Sequence, residues 1–431
     1  MGPRTVPTVM SVDSLVGRAL DVLERNDTGL FFKPGPRVYP FQWNWDSAFV
    51  ALGLARVDPE RGRREVRSLL RGRWEDGMVP HIVFHDAGAD YSPGPEIWGS
   101  SDCAAAPGVA TSGLTQPPVL ATAVRALHEA DPDRAFLEEV LPGIDAWHRW
   151  LERARSFDDS GLIAIVHPWE SADNAPRFDA ALARIDPREL TFARSDRKHL
   201  ADDERPTNVE YGRYLAIVDR LRERGYRPAS SSEAPFAYVD LAFNAILAVA
   251  EEDLAFLFGE LGGGGARAAG RAARLHTALS ARWDETDAAY RQRDLHGDDG
   301  TTETIADLVP LYAGVPDKRQ ARKLFAESLW SPERFGPSEE SPWAVTTVSK
   351  AARSYEPRRY WRGPVWINVN WFLVRGLRRC GLADEAEELR RLTLRLIETS
   401  GFAEYYDPRT GEALGSGEFS WSAALALDLL A

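Results

Sequence analysis

The chain has 431 residues, 44% hydrophobic and 27% charged, with a formal net charge of −13. That balance excludes nucleic acid as a partner, because no Lys/Arg stripe with interleaved aromatics offsets the acidic field. Two cysteines, Cys103 and Cys380, form neither a disulfide framework nor a metal pattern, and no apolar run approaches the ~18 residues of a membrane span, so a cytoplasmic protein with no membrane partner is expected.

Helical periodicity governs the chain from its start. The opening MGPRTVPTVMSVDSLVG lacks the basic start and long apolar run of a secretory signal. SVDSLVGRALDVLERN then places apolar residues at 12, 15, 16, 19, 20 and 23, with Ser11 or Asp13 as cap. WDSAFVALGLARV and DPERGRREVRSLLRGRW read as a helical pair joined at Asp58-Pro59. PPVLATAVRALHEAD, DPDRAFLEEVLPGIDAWHRWLERARS, YVDLAFNAILAVAEEDLAFLFGEL and ARAAGRAARLHTALSARWD continue the series. DKRQARKLFAESLW, PVWINVNWFLVRGLRRCGL, ADEAEELRRLTLRLIETS and SWSAALALDLLA complete it, giving about eleven helices, mostly as consecutive hairpins. Between hairpins lie short, aromatic, acidic segments punctuated by Gly or Pro, such as WEDGMVPHIVF and FAEYYDPRTGE. No strict repeat marks a solenoid, so the pattern predicts an all-α toroid of hairpins with its connectors gathered at one end.

Two long irregular stretches break the pattern, Asp86 to Gly113 and Asn174 to Ser232, the second with only weak helical signal. Insertions of this kind are lids, binding loops or disorder, and Tyr91, Trp98, Tyr211 and Tyr214 favour lids. The whole chain is read as one domain carrying these two insertions. LGGGGARAAG lacks the Gly-Lys-Ser/Thr of a phosphate loop and reads as a helix–helix connector. HIVFH has the spacing of two helical metal ligands, but its β-branched residues make it a strand. No serine elbow or cysteine nucleophile pattern occurs, and neither a metal nor a cofactor is implied.

The chain's 14 Trp are many for its length, and Trp43, Trp45, Trp98, Trp169, Trp361, Trp366 and Trp421 sit near acids, Gly or Pro. Flat rings in irregular segments cover the apolar faces of pyranoses, so a sugar-binding cleft is indicated. HPWESADNAPRFD sets Glu170 and Asp173 beside Trp169 and between two prolines. An acid against an apolar wall has a raised pKa, which a proton donor needs. In YPFQWNWDSAFVALGL, Asp46 stands at the mouth of an apolar helix, either as a cap or as an acceptor for sugar hydroxyls beside Tyr39, Trp43 and Trp45. YWRGPVWINVNWFL enters a helix from a Gly-Pro turn flanked by Trp361 and Trp366. GFAEYYDPRTGEALGSGEFSWSAALALDLL carries Glu404 among tyrosines and Glu418 just before a helix, where capping explains it.

FQWNWDSAF, WESADNAPR, YWRGPVWINVNW and EYYDPRTGE…FSWSAA, in this order, resemble glycoside hydrolase family 63 and its trehalase-like relatives, with the match running from about Tyr39 to the C-terminus. Within that family the short chain is most similar to the bacterial mannosylglycerate and glucosylglycerate hydrolases. The resemblance implies an (α/α)6 barrel and an inverting α-glycosidase. It implies Asp173 as general acid and Glu404 as base, with Glu418 as the alternative base. An inverting pair needs a separation of roughly 6.5–9.5 Å to leave room for water. On this reading Trp169 and Pro176 keep Asp173 dry, Glu404 stays ionised near water, and Glu170 supports the site.

The −1 subsite for one hexose is read as Tyr39, Trp43, Asp46, Trp361 and Trp366, with Gln116 as a hydroxyl ligand. A glycerate aglycone adds a carboxylate, for which the resemblance implies Arg205 and Tyr211 from the second lid, and Tyr91 closes the site from the first. The substrate is therefore expected to be 2-O-α-mannosyl- or 2-O-α-glucosyl-D-glycerate. A neutral α-disaccharide such as trehalose, or an idle sugar-binding barrel, remain the alternatives at this stage, and assembly into a homo-oligomer is left open.

Overall fold

A helix enclosed on every side must be apolar all round, whereas an outer helix needs only an apolar stripe. Inner and outer helices alternate here, and Asn44–Leu54, Leu241–Glu260 and Ser420–Leu430 are of the first kind. The computed structural model describes residues 12–85, 91–297 and 303–431, so Ser11 as a cap lies outside the described residues, as do 86–90 of the first insertion. The helices in chain order are α1 (Val12–Asn26), α2 (Asn44–Leu54), α3 (Pro59–Leu70) and the short α4 (Pro95–Trp98), then α5 (Leu120–Ala130), α6 (Arg134–Arg155) and the short α7 (Asp179–Ala183). They continue as α8 (Asn208–Arg222), α9 (Leu241–Glu260), α10 (Ala266–Ser280), α11 (Lys318–Leu324), α12 (Ile367–Arg379), α13 (Ala383–Ser400) and α14 (Ser420–Leu430).

An inner ring closes on itself. α2 packs on α5, α5 on α9, α9 on the 3-10 segment Val309–Leu311, that segment on α12, α12 on α14, and α14 back on α2. Every residue of α2 is buried, α14 and α12 are nearly as enclosed, and α9 is buried along its first half. Outside the ring, α1 covers α14, α3 covers α2, α6 and α10 cover α9, and α13 covers α12. Buried hydrophobic residues from Leu15 to Leu429 form one continuous core cluster. The toroid of hairpins expected from the sequence is the observed architecture.

The structure corrects two details. The fourth inner position is not a regular helix: Ile305–Asp307 and Val309–Leu311 are 3-10 turns, the second opened by Pro310, whose ring cannot donate to a regular ladder. The second insertion is also more helical than its composition indicated. α8 is launched by a capping box in which Thr207 and Glu210 exchange side-chain and backbone hydrogen bonds. HIVFH is the expected strand: Ile82–Phe84 pairs antiparallel with Gln42–Trp43 on one side and Ala110–Thr111 on the other. Among the described residues no helix is long and apolar enough to cross a membrane.

Connections from each inner element to the next outer helix are short, as in α2 to α3 or α12 to α13. Connections from outer to inner elements are long, and all of them open at the N-terminal ends of the inner ring. That asymmetry creates a functional face. The ring's closeness rests partly on Gly53 in α2, where a Cβ would stand 2.3 Å from the carbonyl oxygen of Ala424 in α14. Gly53→Ala should therefore cost about 1–3 kcal/mol of stability through overpacking. Urea unfolding should show a lower midpoint with an unchanged slope.

Candidate active site

The long connectors meet in one cavity at the N-terminal end of the ring. Tyr39, Trp43, Asp46, Tyr91, Gln116, Trp169, Asp173, Arg205, Tyr211, Trp361, Trp366 and Glu404 all line it. Glu418 does not. It stands at the surface in a left-handed backbone conformation, half exposed and paired with Arg25 at 3.0 Å. The chain turns there into α14, so the side chain is directed away from the ring axis.

Glu404 is placed by an irregular hairpin. Ala403 pairs with Gly417 and Tyr405 with Leu414, so Gly415 and Ser416 both stand opposite Glu404. This is a β-bulge opened by a glycine at φ +67°, where a Cβ would come within 2.5 Å of the Glu404 carboxylate. The bulge aims the Ser416 N–H at Glu404 Oε2, 2.9 Å away. The Tyr39 hydroxyl donates to Oε1 at 2.7 Å, and Arg205 Nη1 lies 3.5 Å from the same oxygen. Glu404 was expected near water but is buried, at 1% exposed. Burial raises its pKa, while Arg205, the Ser416 N–H and the Tyr39 hydroxyl favour its charged form.

Asp173 has a different environment. Burial pushes its carboxyl up to about 7, and Arg205 counters this only in part. Its backbone carbonyl accepts from the Tyr214 hydroxyl at 2.8 Å, which fixes the peptide rather than the carboxyl. Trp169 lines the cavity beside it, as expected. Pro176 does not line it; it opens the 3-10 turn Pro176–Phe178 that ends the loop. Glu170 turns away into the fold, where it accepts from Arg155 at 3.2 Å, from the Thr115 N–H at 3.2 Å and from the Val166 N–H at 2.8 Å. Those partners make Glu170 a structural anchor for the loop. Asp46, in the first turn of α2, is raised well above the carboxylate range by burial and then by the charge of Glu404.

The second insertion contributes a charged knot. Arg205 Nε donates to Asp196 Oδ2 at 3.1 Å, and Arg194 grips the same carboxylate at 2.6 Å. Burial works against the Asp196 charge, but Arg205 and Arg194 hold its pKa below the usual range. Arg205 also lies over the Tyr360 ring, 4.0 Å from its centroid. The Tyr211 hydroxyl donates to the Ser92 carbonyl at 2.9 Å, so this tyrosine ties one insertion to the other. Gln116 accepts from the backbone N–H of Trp45 at 3.2 Å, which sets its amide against the start of α2.

Aromatic rings build the walls. Trp361 and Trp366 stack with centroids 3.7 Å apart, and Tyr405 stacks on Trp366 at 4.8 Å. Opposite, Tyr39 meets Trp43 edge-on at 5.2 Å, and Trp43 meets Tyr91 at 5.3 Å. Sequence reasoning missed Tyr360, Asp196 and His81, which also line the cavity. Tyr360 begins the quoted YWRGP segment and could have been included. Asp196 sits in RSDRKHLADDERP, one acid among several with nothing local to distinguish it. His81 was weighed only as a metal ligand; burial holds its pKa well below the usual value, and Nδ1 lies 2.6 Å from Ser112 Oγ. His85 turns instead to Gln42 and Ser68.

A closed ring of helical hairpins whose connectors bring two carboxyls of unequal surroundings into an aromatic cavity defines a glycoside hydrolase of the (α/α)6-barrel type. The family model for the mannosylglycerate hydrolase MGH1-like glycoside hydrolase domain matches residues 39–422, and the chain belongs to this family, within glycoside hydrolase family 63. It is 44% identical over 419 residues to a mannosylglycerate hydrolase of Thermus thermophilus, covering 95% of this chain and 99% of the relative. It is also 36% identical over 440 residues to a glucosylglycerate hydrolase of Mycolicibacterium hassiacum, covering 96% and 97%. A crystal structure of a family 63 mannosylglycerate hydrolase from Thermus thermophilus with Tris and D-glycerate matches with a TM-score of 0.88 at 43% identity, over 96% of this chain and 99% of that one.

Two outcomes follow from the geometry. If Asp173 works as a proton donor, only its protonated form is active, so kcat/KM should fall as pH rises through about 7. A pH–rate profile should show that alkaline limb, and Asp173→Asn should abolish it. Glu170→Ala should instead act on folding, because it leaves Arg155 buried without its charge partner. A loss of about 3–5 kcal/mol in chemical unfolding is expected.

Proposed function

We propose that the protein is an inverting α-glycosidase that hydrolyses 2-O-α-hexosyl-D-glycerate, with mannose or glucose as the hexose, to the free sugar and glycerate. The observation that carries this reading is the shared cavity of Asp173, Glu404 and Arg205, in which two carboxyls of different character accompany a buried guanidinium. The names of the relatives, hydrolases of mannosylglycerate and glucosylglycerate, support the same substrate class.

In this mechanism Asp173, protonated, gives its proton to the glycosidic oxygen as the bond to the anomeric carbon breaks. Glu404 takes a proton from a water that attacks the anomeric carbon from the opposite face. The three donors on Glu404 favour its carboxylate form and hold it in one orientation, as a base requires. Trp43 and the stacked Trp361 and Trp366 supply faces for one hexose, and Asp46 and Gln116 supply groups for its hydroxyls. Arg205, which lines the cavity between Asp196 and Glu404, is the cation available to bind the aglycone carboxylate. Tyr211 and Tyr91, from the two lids, close the aglycone end. Tyr211 joins Arg205 on the carboxylate only by releasing the Ser92 carbonyl that it now serves.

A hydrolysis panel of α-glycosides with anomer-resolved NMR tests the reading. Hexosylglycerates should be cleaved best, with the β-anomer of the sugar appearing first; the α-anomer first would contradict inversion. Asp173→Asn and Glu404→Gln should each lower kcat by about 10²–10⁴-fold. Arg205→Ala should weaken use of the glycerate substrate about 10- to 100-fold more than use of a neutral disaccharide, the scale of one charge-assisted hydrogen bond. Equal losses on both substrates would remove the carboxylate role.

A further inference from the structure

The loop that carries Asp173 is pinned on both sides of that residue to a single buried carboxylate. Asp240 is the N-cap of the inner helix α9 and is wholly buried. Its Oδ1 accepts from the backbone N–H of Phe243 at 3.0 Å, as a cap does. Its Oδ2 does something a cap does not require. It accepts from Ser171 Oγ at 2.8 Å and from Arg177 Nη2 at 2.6 Å, and Arg177 Nη2 also reaches Ser171 Oγ at 3.2 Å. Ser171 precedes Asp173 and Arg177 follows it, so one oxygen draws together the two ends of the turn whose crest is Asp173. Arg177 is itself buried, with its guanidinium 4.3 Å from the Phe178 ring centroid, so the clamp is shielded from water.

We propose that Asp240 is a positioning residue for proton transfer: it fixes the Asp173 loop to the N-terminus of α9, and so sets where the acid's proton stands relative to the leaving oxygen. This rests on Asp173 being the acid. The physical reason is that the loop has little regular structure of its own, only the two short 3-10 turns Pro168–Glu170 and Pro176–Phe178. A turn held only by its own backbone bonds would let the carboxyl drift, and a small misplacement in a near-attack geometry is costly in rate. Charge-assisted bonds in a dry setting resist that drift better than neutral ones. The clamp also joins the acid to the ring rather than to a lid. The Tyr214 contact to the Asp173 carbonyl comes from α8, in the second insertion, whereas Asp240 belongs to the inner ring itself.

The test uses two leaving groups on the same hexose. An O-glycoside of glycerate needs its leaving oxygen protonated, whereas a glycosyl fluoride departs with far less help from an acid. Asp240→Asn keeps an acceptor for the cap but loses the charge that holds Arg177. Its kcat on the O-glycoside should fall about 10- to 100-fold with KM within about threefold, while kcat on the α-glycosyl fluoride stays within about threefold of the parent. Ser171→Ala, which leaves no buried charge unpaired, should show the same selective loss at smaller size and keeps the test open if Asp240→Asn does not fold. Equal losses on both substrates, or a loss confined to KM, would overturn the proposal. Asp173→Asn is measured beside them: selective loss on the O-glycoside supports its role as acid. An equal loss on both substrates there, or none, would overturn the assignment of the acid itself, separately from the role of Asp240.

Discussion

The inner ring is the constraint from which the rest follows. Its helices are buried most completely toward their N-terminal ends, so a polar side chain along their length must find a partner inside the fold, as Asn244 of α9 and Asn370 of α12 do. Polar chemistry can emerge only at helix ends, where backbone groups already need partners. The short connections leave one end with no room for it. The long connections gather at the other end, where the N-termini of α2, α9, α12 and α14 point the same way. Asp46 in the first turn of α2 and Asp240 at the cap of α9 are consequences of that arrangement. Helix N-termini favour negative charge. At Asp46, however, burial outweighs that preference, since its pKa is raised with desolvation as the largest cause.

Carboxyls and a guanidinium buried around one space make the cavity an electrostatic unit. Arg205 acts on Asp173, Asp196 and Glu404 together, so no one of these groups titrates alone. Asp196 keeps Arg205 in place and Tyr360 gives it an aromatic floor. The difference between the two proposed catalytic carboxyls then lies in what touches them. Glu404 receives three donors, whereas the Asp173 carboxyl is surrounded chiefly by desolvation. Unequal environments for two like groups are what an acid and a base require.

Much of this was legible from residues alone, for a physical reason in each case. The all-round apolar α14, SWSAALALDLL, and the striped α13, ADEAEELRRLTLRLIETS, announce an inner and an outer helix by their periods. Trp169, Trp361 and Trp366 could be expected at one cleft because several tryptophans clustered beside Gly, Pro and acids in irregular segments suit a cleft, although any one of them suits a core equally well. Other features were hidden. The 3-10 turns that fill the fourth inner position have no strong period to read. α8 was underrated because the charged segment before it masks a capping box. Composition alone does not separate Glu170 from Asp173 within WESAD, since both stand beside Trp169; the family resemblance separated them, and the partners Arg155, Thr115 and Val166 show that Glu170 faces the fold.

By itself, then, the sequence determined the series of helical hairpins, the aromatic, acidic character of the connectors between them, and the segments that carry Asp173 and Glu404. Those properties depend on spacing along the chain, which periodicity and composition record directly. Only the tertiary structure decided that Asp173, Arg205 and Glu404 share one cavity, that Glu418 stands outside it beside Arg25, and that Asp240 grips both flanks of the Asp173 turn. Each of these depends on which helix ends the closing ring brings together, and ring closure is a property of packed faces far apart in sequence.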